Sequence, residues 1–70
     1  MMHLSQMALR ELRNTNEAVW ANKTVCGKWD YEVECMVRAG WVRGSTLREV
    51  LVVVDCPKCL ELGQPKVGVA

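Results

Sequence analysis

Apolar positions along this chain recur with two different periods. Leu4, Met7, Ala8 and Leu12 fall on one stripe at helical spacing and predict a helix from Leu4 to about Arg13. Arg10 and Arg13 stand late in it, where cations suit the negative end of the helix dipole, and Asn14-Thr15-Asn16 is a natural stop. Residues Glu17 to Asn22 either extend the helix after a kink or form a loop with Val19 and Trp20 turned inward. From Trp29 the period shortens. Trp29, Tyr31, Val33, Cys35 and Val37 alternate with Asp30, Glu32, Glu34, Met36 and Arg38, the pattern of a strand with one apolar and one mostly charged face. Lys23 to Cys26 forms a shorter candidate strand before it, with a turn at Gly27-Lys28.

The segment Leu47 to Val54 supports two readings. Thr46 and Glu49 match a capping box that would start a helix. The β-branched run Val50-Leu51-Val52-Val53-Val54 favours a buried strand, and the strand carries more weight here. After Leu62, Gly63, Pro65 and Gly68 mark an irregular tail. The expected fold is therefore α+β, an N-terminal helix with a three-stranded antiparallel sheet. The expected division is one domain over residues 1–62 and a tail over 63–70.

Length and composition add a constraint. A 70-residue chain makes one domain and buries only about 60% of its unfolded surface. Such cores often need a staple, and four cysteines offer one. Nine Lys+Arg stand against eight Asp+Glu, so no bulk electrostatic drive toward nucleic acid or an anionic membrane exists. A hydrophobic content of 50% argues against disorder. Met1 to Gln6 lacks the basic and apolar blocks of a signal peptide. The run Val50 to Val54 is far too short to span a bilayer. The expected location is cytoplasmic, where cysteines spaced C-x-x-C hold metal or do redox work more often than they form disulfides. Asn22-Lys23-Thr24 then matches a glycosylation sequon only by chance.

Cys56-Pro57-Lys58-Cys59 is the strongest single motif. Two intervening residues place both sulfurs on one side of the backbone, Pro57 stiffens the turn, and Lys58 offsets thiolate charge. Over Val52 to Leu60 the motif resembles the knuckle of zinc-ribbon proteins, in which a strand runs into Cys-Pro-x-Cys, although Leu60 stands where that pattern has Gly. The resemblance implies a Zn2+ cofactor and a zinc-ribbon-like fold. Cys26 and Cys35, spaced C-x8-C, complete a candidate set of Cys26, Cys35, Cys56 and Cys59. If the strand through Cys35 pairs antiparallel with the Val-rich run about Gly44-Ser45, Cys35 faces Val54 and Val33 faces Cys56. That register sets Cys35 about two residues from the knuckle, at roughly 3.3 Å per residue. Cys26 remains open between ligand and core. His3, the single histidine, reads as a solvated terminal residue.

Neither a P-loop, a G-x-S-x-G turn nor a paired-carboxylate setting is present, so the expectation is a non-enzymatic module. Arg38, Arg43 and Arg48 surround Trp41, a combination enriched at protein and nucleic-acid interfaces. Against this, Trp41 is expected to close the small core. The leading expectation is a zinc-binding adaptor or regulator of a larger protein machine, similar in size and build to phage-encoded modulators of host transcription. The alternatives are a nucleic-acid-binding zinc module using Arg38, Trp41, Arg43 and Arg48, and a thiol redox protein.

Overall fold

A computed structural model describes residues 1–64. The expected tail beyond Gln64 lies outside these residues. Strand β1 (Met2–Leu4) opens the chain and is followed by helix α1 (Gln6–Arg13). A single-turn 3-10 helix at Asp30–Glu32 precedes strand β2 (Cys35–Val37), and another follows at Ala39–Trp41. Helices α2 (Leu47–Val53) and α3 (Pro57–Gly63) complete the order. The chain is α+β, as expected, but the described residues hold three α-helices and one two-stranded parallel sheet, not three antiparallel strands.

The N-terminus explains the first departure. Ser5 caps α1, its hydroxyl oxygen accepting from the Ala8 amide at 3.0 Å. The helix therefore starts after Leu4, which pairs with Val37 in register with Met2–Cys35 and His3–Met36. On its other side β1 receives the Val25 amide on the Leu4 carbonyl at 2.8 Å and the Cys56 amide on the Met2 carbonyl at 3.2 Å. A strand of three residues thus becomes the centre of the domain. Asn14 ends α1 in the left-handed conformation, with φ 54°, as the Asn-Thr-Asn stop suggests.

The Val-rich run is the second departure. The capping box forms completely: the Glu49 amide donates to Thr46 Oγ1 at 3.2 Å and the Thr46 amide to Glu49 Oε1 at 3.0 Å. Such caps typically contribute about 1 kcal/mol. Burial follows a helical period. Val50 and Val54 are buried with Leu47 and Leu51 packed beside them, while Val52 is 83% exposed. A strand would have placed Val50, Val52 and Val54 on one face. Two bonds at the helix start, plus the burial of one stripe, outweigh a β-branched penalty of a few tenths of a kcal/mol per residue.

The core comprises Leu4, Ala8, Leu9, Val37, Val42, Val50, Val54, Cys56 and Cys59. Helix α3 ends at Gly63. A β-carbon on Gly63 would stand 3.4 Å from side-chain atoms of both Leu4 and Leu51, so the missing side chain lets α3 lie close to β1 and α2. No helix among the described residues is long and apolar enough to cross a membrane.

Candidate metal centre

Three separate segments converge beside β1. The first is β1 itself, which carries His3, 7% exposed, between Met2 and the fully buried Leu4. The second is a tight turn over residues 24–28, the turn expected at Gly27-Lys28. The Thr24 amide donates to the Lys28 carbonyl at 2.7 Å, the Gly27 amide to the Thr24 carbonyl at 3.0 Å, and Gly27 takes φ 95°, a value that favours glycine. The Lys28 amide donates to Thr24 Oγ1 at 2.9 Å. Trp20 packs edge-on against Trp29 with centroids 5.6 Å apart, and the Lys23 ammonium lies 5.0 Å from the Trp29 centroid, bracing the ends of this hairpin. Cys26 is held at its tip.

The third segment is the Cys-Pro-Lys-Cys motif, which starts α3. Cys56 is the N-cap residue and Pro57 follows at the first helical position, where its missing amide hydrogen has no role to lose. Cys59, three residues on, lies on the same helix side as Cys56. Both are buried, Cys59 completely.

These segments bring His3, Cys26, Cys56 and Cys59 together, with one ligand atom from each lying within 4.8 Å of all the others. His3 Nδ1 is 3.5 Å from Cys26 Sγ and 3.8 Å from Cys59 Sγ. Zinc–sulfur bonds of about 2.3 Å and zinc–nitrogen bonds of about 2.0 Å give tetrahedral edges of roughly 3.5–3.8 Å. The His3–Cys26 separation already matches a nitrogen–sulfur edge, and the His3–Cys59 separation is within about 0.3 Å of one. The longest edge needs a contraction of about 1 Å to close on that geometry. The residues therefore fit a tetrahedral metal ion, and the donor chemistry, three thiols and an imidazole, is that of a closed structural site.

Three of the four expected ligands fall in the cluster, and His3 is its fourth member. Cys26, Cys56 and Cys59 converge, but Cys35 does not belong to the group and is exposed on β2. The antiparallel register that placed Cys35 beside the knuckle does not form, because the Val-rich partner strand is a helix and β2 pairs with β1 in parallel. His3, read as solvated, takes the fourth place because the terminal strand is central rather than frayed. All four cysteines are unbridged.

Electrostatics show what an ion would relieve. Burial pushes the Cys59 thiol up to about 12, an effect that contacts to Leu4 and Cys26 offset only in part. For Cys26 burial also opposes ionisation. Contacts to Thr24, Cys59, Cys56 and the Lys28 backbone outweigh it, and the thiol sits below the usual 9.0. A cation must therefore displace a proton from Cys59 throughout the neutral range. The sign follows directly: the ion-bound state holds fewer protons than the ion-free chain, so affinity and metal-linked stability rise with pH and fall on acidification. The proton on Cys59 alone accounts for about tenfold per pH unit, so a gain in zinc affinity of at least that size is expected between pH 6 and 8, read by competition with a chromophoric chelator. An affinity flat in pH would contradict thiol ligation.

The sequence-predicted binding residues lie elsewhere. Arg38 pairs with Asp30 at 3.8 Å. Trp41, expected to close the core, is instead 66% exposed, and Arg43 and Arg48 are exposed near it in sequence. No family model, curated protein or solved structure matches the chain.

Proposed function

We propose that this protein is a small non-enzymatic binding module whose fold is stapled by one zinc ion held by His3, Cys26, Cys56 and Cys59. The observation that carries the reading is the convergence of those four side chains from three segments far apart in sequence. Zinc suits the donor set better than calcium or magnesium, which take oxygen ligands. A ligand set filled by protein side chains leaves no open position for substrate, so the site supports structure rather than catalysis. Participation of His3 and Cys26 favours a metal centre over a simple dithiol redox pair. The Cys-Pro-Lys-Cys turn then supplies two thiolates, as the knuckle does in zinc-ribbon proteins. Recognition falls to the surface around Trp41, and the partner class favoured is another protein.

Metal content of protein purified under reducing conditions tests this. One zinc per chain is expected, with loss of cooperative unfolding when a strong chelator removes it. A folded protein without metal contradicts the proposal.

A further inference from the structure

The second feature that sets this chain apart is the surface built by residues 38–48. This stretch holds three arginines and no acidic residue in a chain whose net charge is only +1. Its backbone is fixed from below. Val42 and Val50 are buried anchors on either side of a turn in which the Ser45 amide donates to the Val42 carbonyl at 3.0 Å. The 3-10 turn Ala39–Trp41 packs against α1. Trp41 nevertheless points outward at 66% exposure, a large apolar surface presented on a rigid support. Beside the turn opens a pocket of about 340 Å3, lined among others by Glu11, Leu12, Ala39, Val42, Arg43 and Ser45. Gly40 and Gly44 also line it, and neither has an atom within 4 Å of where a β-carbon would stand, so the backbone at the rim is open to close approach.

Charge and apolar groups continue onto α2. Arg48 and Val52 are one helical turn apart on the same side, both exposed. Arg38 makes the one ion pair among the described residues, so neither Arg43 nor Arg48 has a carboxylate within 4.0 Å there. An exposed indole followed within seven positions by two exposed guanidiniums that have no carboxylate partner among the described residues matches the composition of protein interface anchors. A phosphate polymer fits less well. Glu11 stands in the pocket wall, Glu49 follows Arg48, and Val52 offers a phosphate nothing.

We infer that the Trp41–Arg43–Arg48 surface docks a short acidic and apolar segment of a protein partner. An apolar side chain of that segment packs on Trp41, and its carboxylates meet Arg43 and Arg48. This extends the binding-module reading and does not depend on which ion fills the metal centre.

The test uses the intact, metal-loaded protein as bait for a random peptide display library. Enrichment of peptides with Asp or Glu beside Leu, Phe or Trp is expected. Trp41→Ala should weaken them by about tenfold or more, the loss typical of a Trp anchor. Arg43→Glu should weaken the acidic peptides in a salt-dependent way. Both positions are exposed, so the variants should keep their metal content and melting temperature. Absence of enrichment, or peptides indifferent to Trp41→Ala, overturns the inference. Trp41-dependent binding of a single-stranded oligothymidylate at low salt assigns the surface to nucleic acid and also overturns it. Metal-free protein that still shows Trp41-dependent peptide binding removes the zinc reading and leaves this one standing.

Discussion

His3→Ala is expected to abolish stoichiometric zinc binding and cooperative unfolding together, whereas Cys35→Ser should change neither. His3 supplies one of four donors, and it does so from the strand to which β2, the 24–28 hairpin and the start of α3 are all hydrogen-bonded. Structural zinc contributes about 10–16 kcal/mol to folding in small zinc-finger peptides, as much as or more than the roughly 5–15 kcal/mol that keeps an ordinary domain folded. The core of nine buried residues among those described has little reserve against such a loss. Cys35 is exposed and is not one of the clustered donors, so its substitution belongs with surface changes of about 0.5 kcal/mol or less. Zinc analysis with thermal melts by circular dichroism reads both. A stable, zinc-loaded His3→Ala protein, or zinc loss on Cys35→Ser, would reverse the assignment.

Thr24→Val carries the next largest effect. Thr24 is fully buried, its hydroxyl accepts the Lys28 amide at 2.9 Å, and Cys26 Sγ lies 3.0 Å away. Valine keeps the shape and removes the oxygen. The Lys28 amide then loses its partner, a penalty of about 1–3 kcal/mol. The sulfur loses the group that orients it, and outer-shell changes of this kind lower metal affinity by about 10–100-fold. Thr24→Ser retains the hydroxyl and should recover most of the affinity. If valine and serine behave alike in a zinc competition assay, the hydroxyl has no part in holding the site.

The contrast between Cys35 and His3 shows what local pattern conveys and what it does not. The Cys-Pro-Lys-Cys turn announces itself because its two sulfurs are fixed by four consecutive residues. The hairpin at Gly27-Lys28 and the stop at Asn14 are legible for the same reason. The pairing of residues 2–4 with 35–37 is not, because parallel strands joined by a long crossover leave no turn signature between them. Everything inferred about Cys35 depended on that missing pairing. A lone histidine near the start of the sequence gives no local sign that its strand is central. For Leu47 to Val54 the sequence carries both signals. Thr46 and Glu49 decided it, since a capping box supplies real hydrogen bonds while β-branching expresses only a weak preference. Trp41 defeated the argument that a small core needs all its aromatics: valines, leucines and two cysteines fill the interior instead.

X-ray absorption at the zinc edge of the purified protein addresses the central claim most directly, because it counts the donors. Three sulfurs at about 2.3 Å and one nitrogen at about 2.0 Å are expected, with the nitrogen contributed by His3. A shell of four sulfurs would restore Cys35 to the site and displace His3. Absence of bound zinc in the folded protein would contradict the metal centre itself.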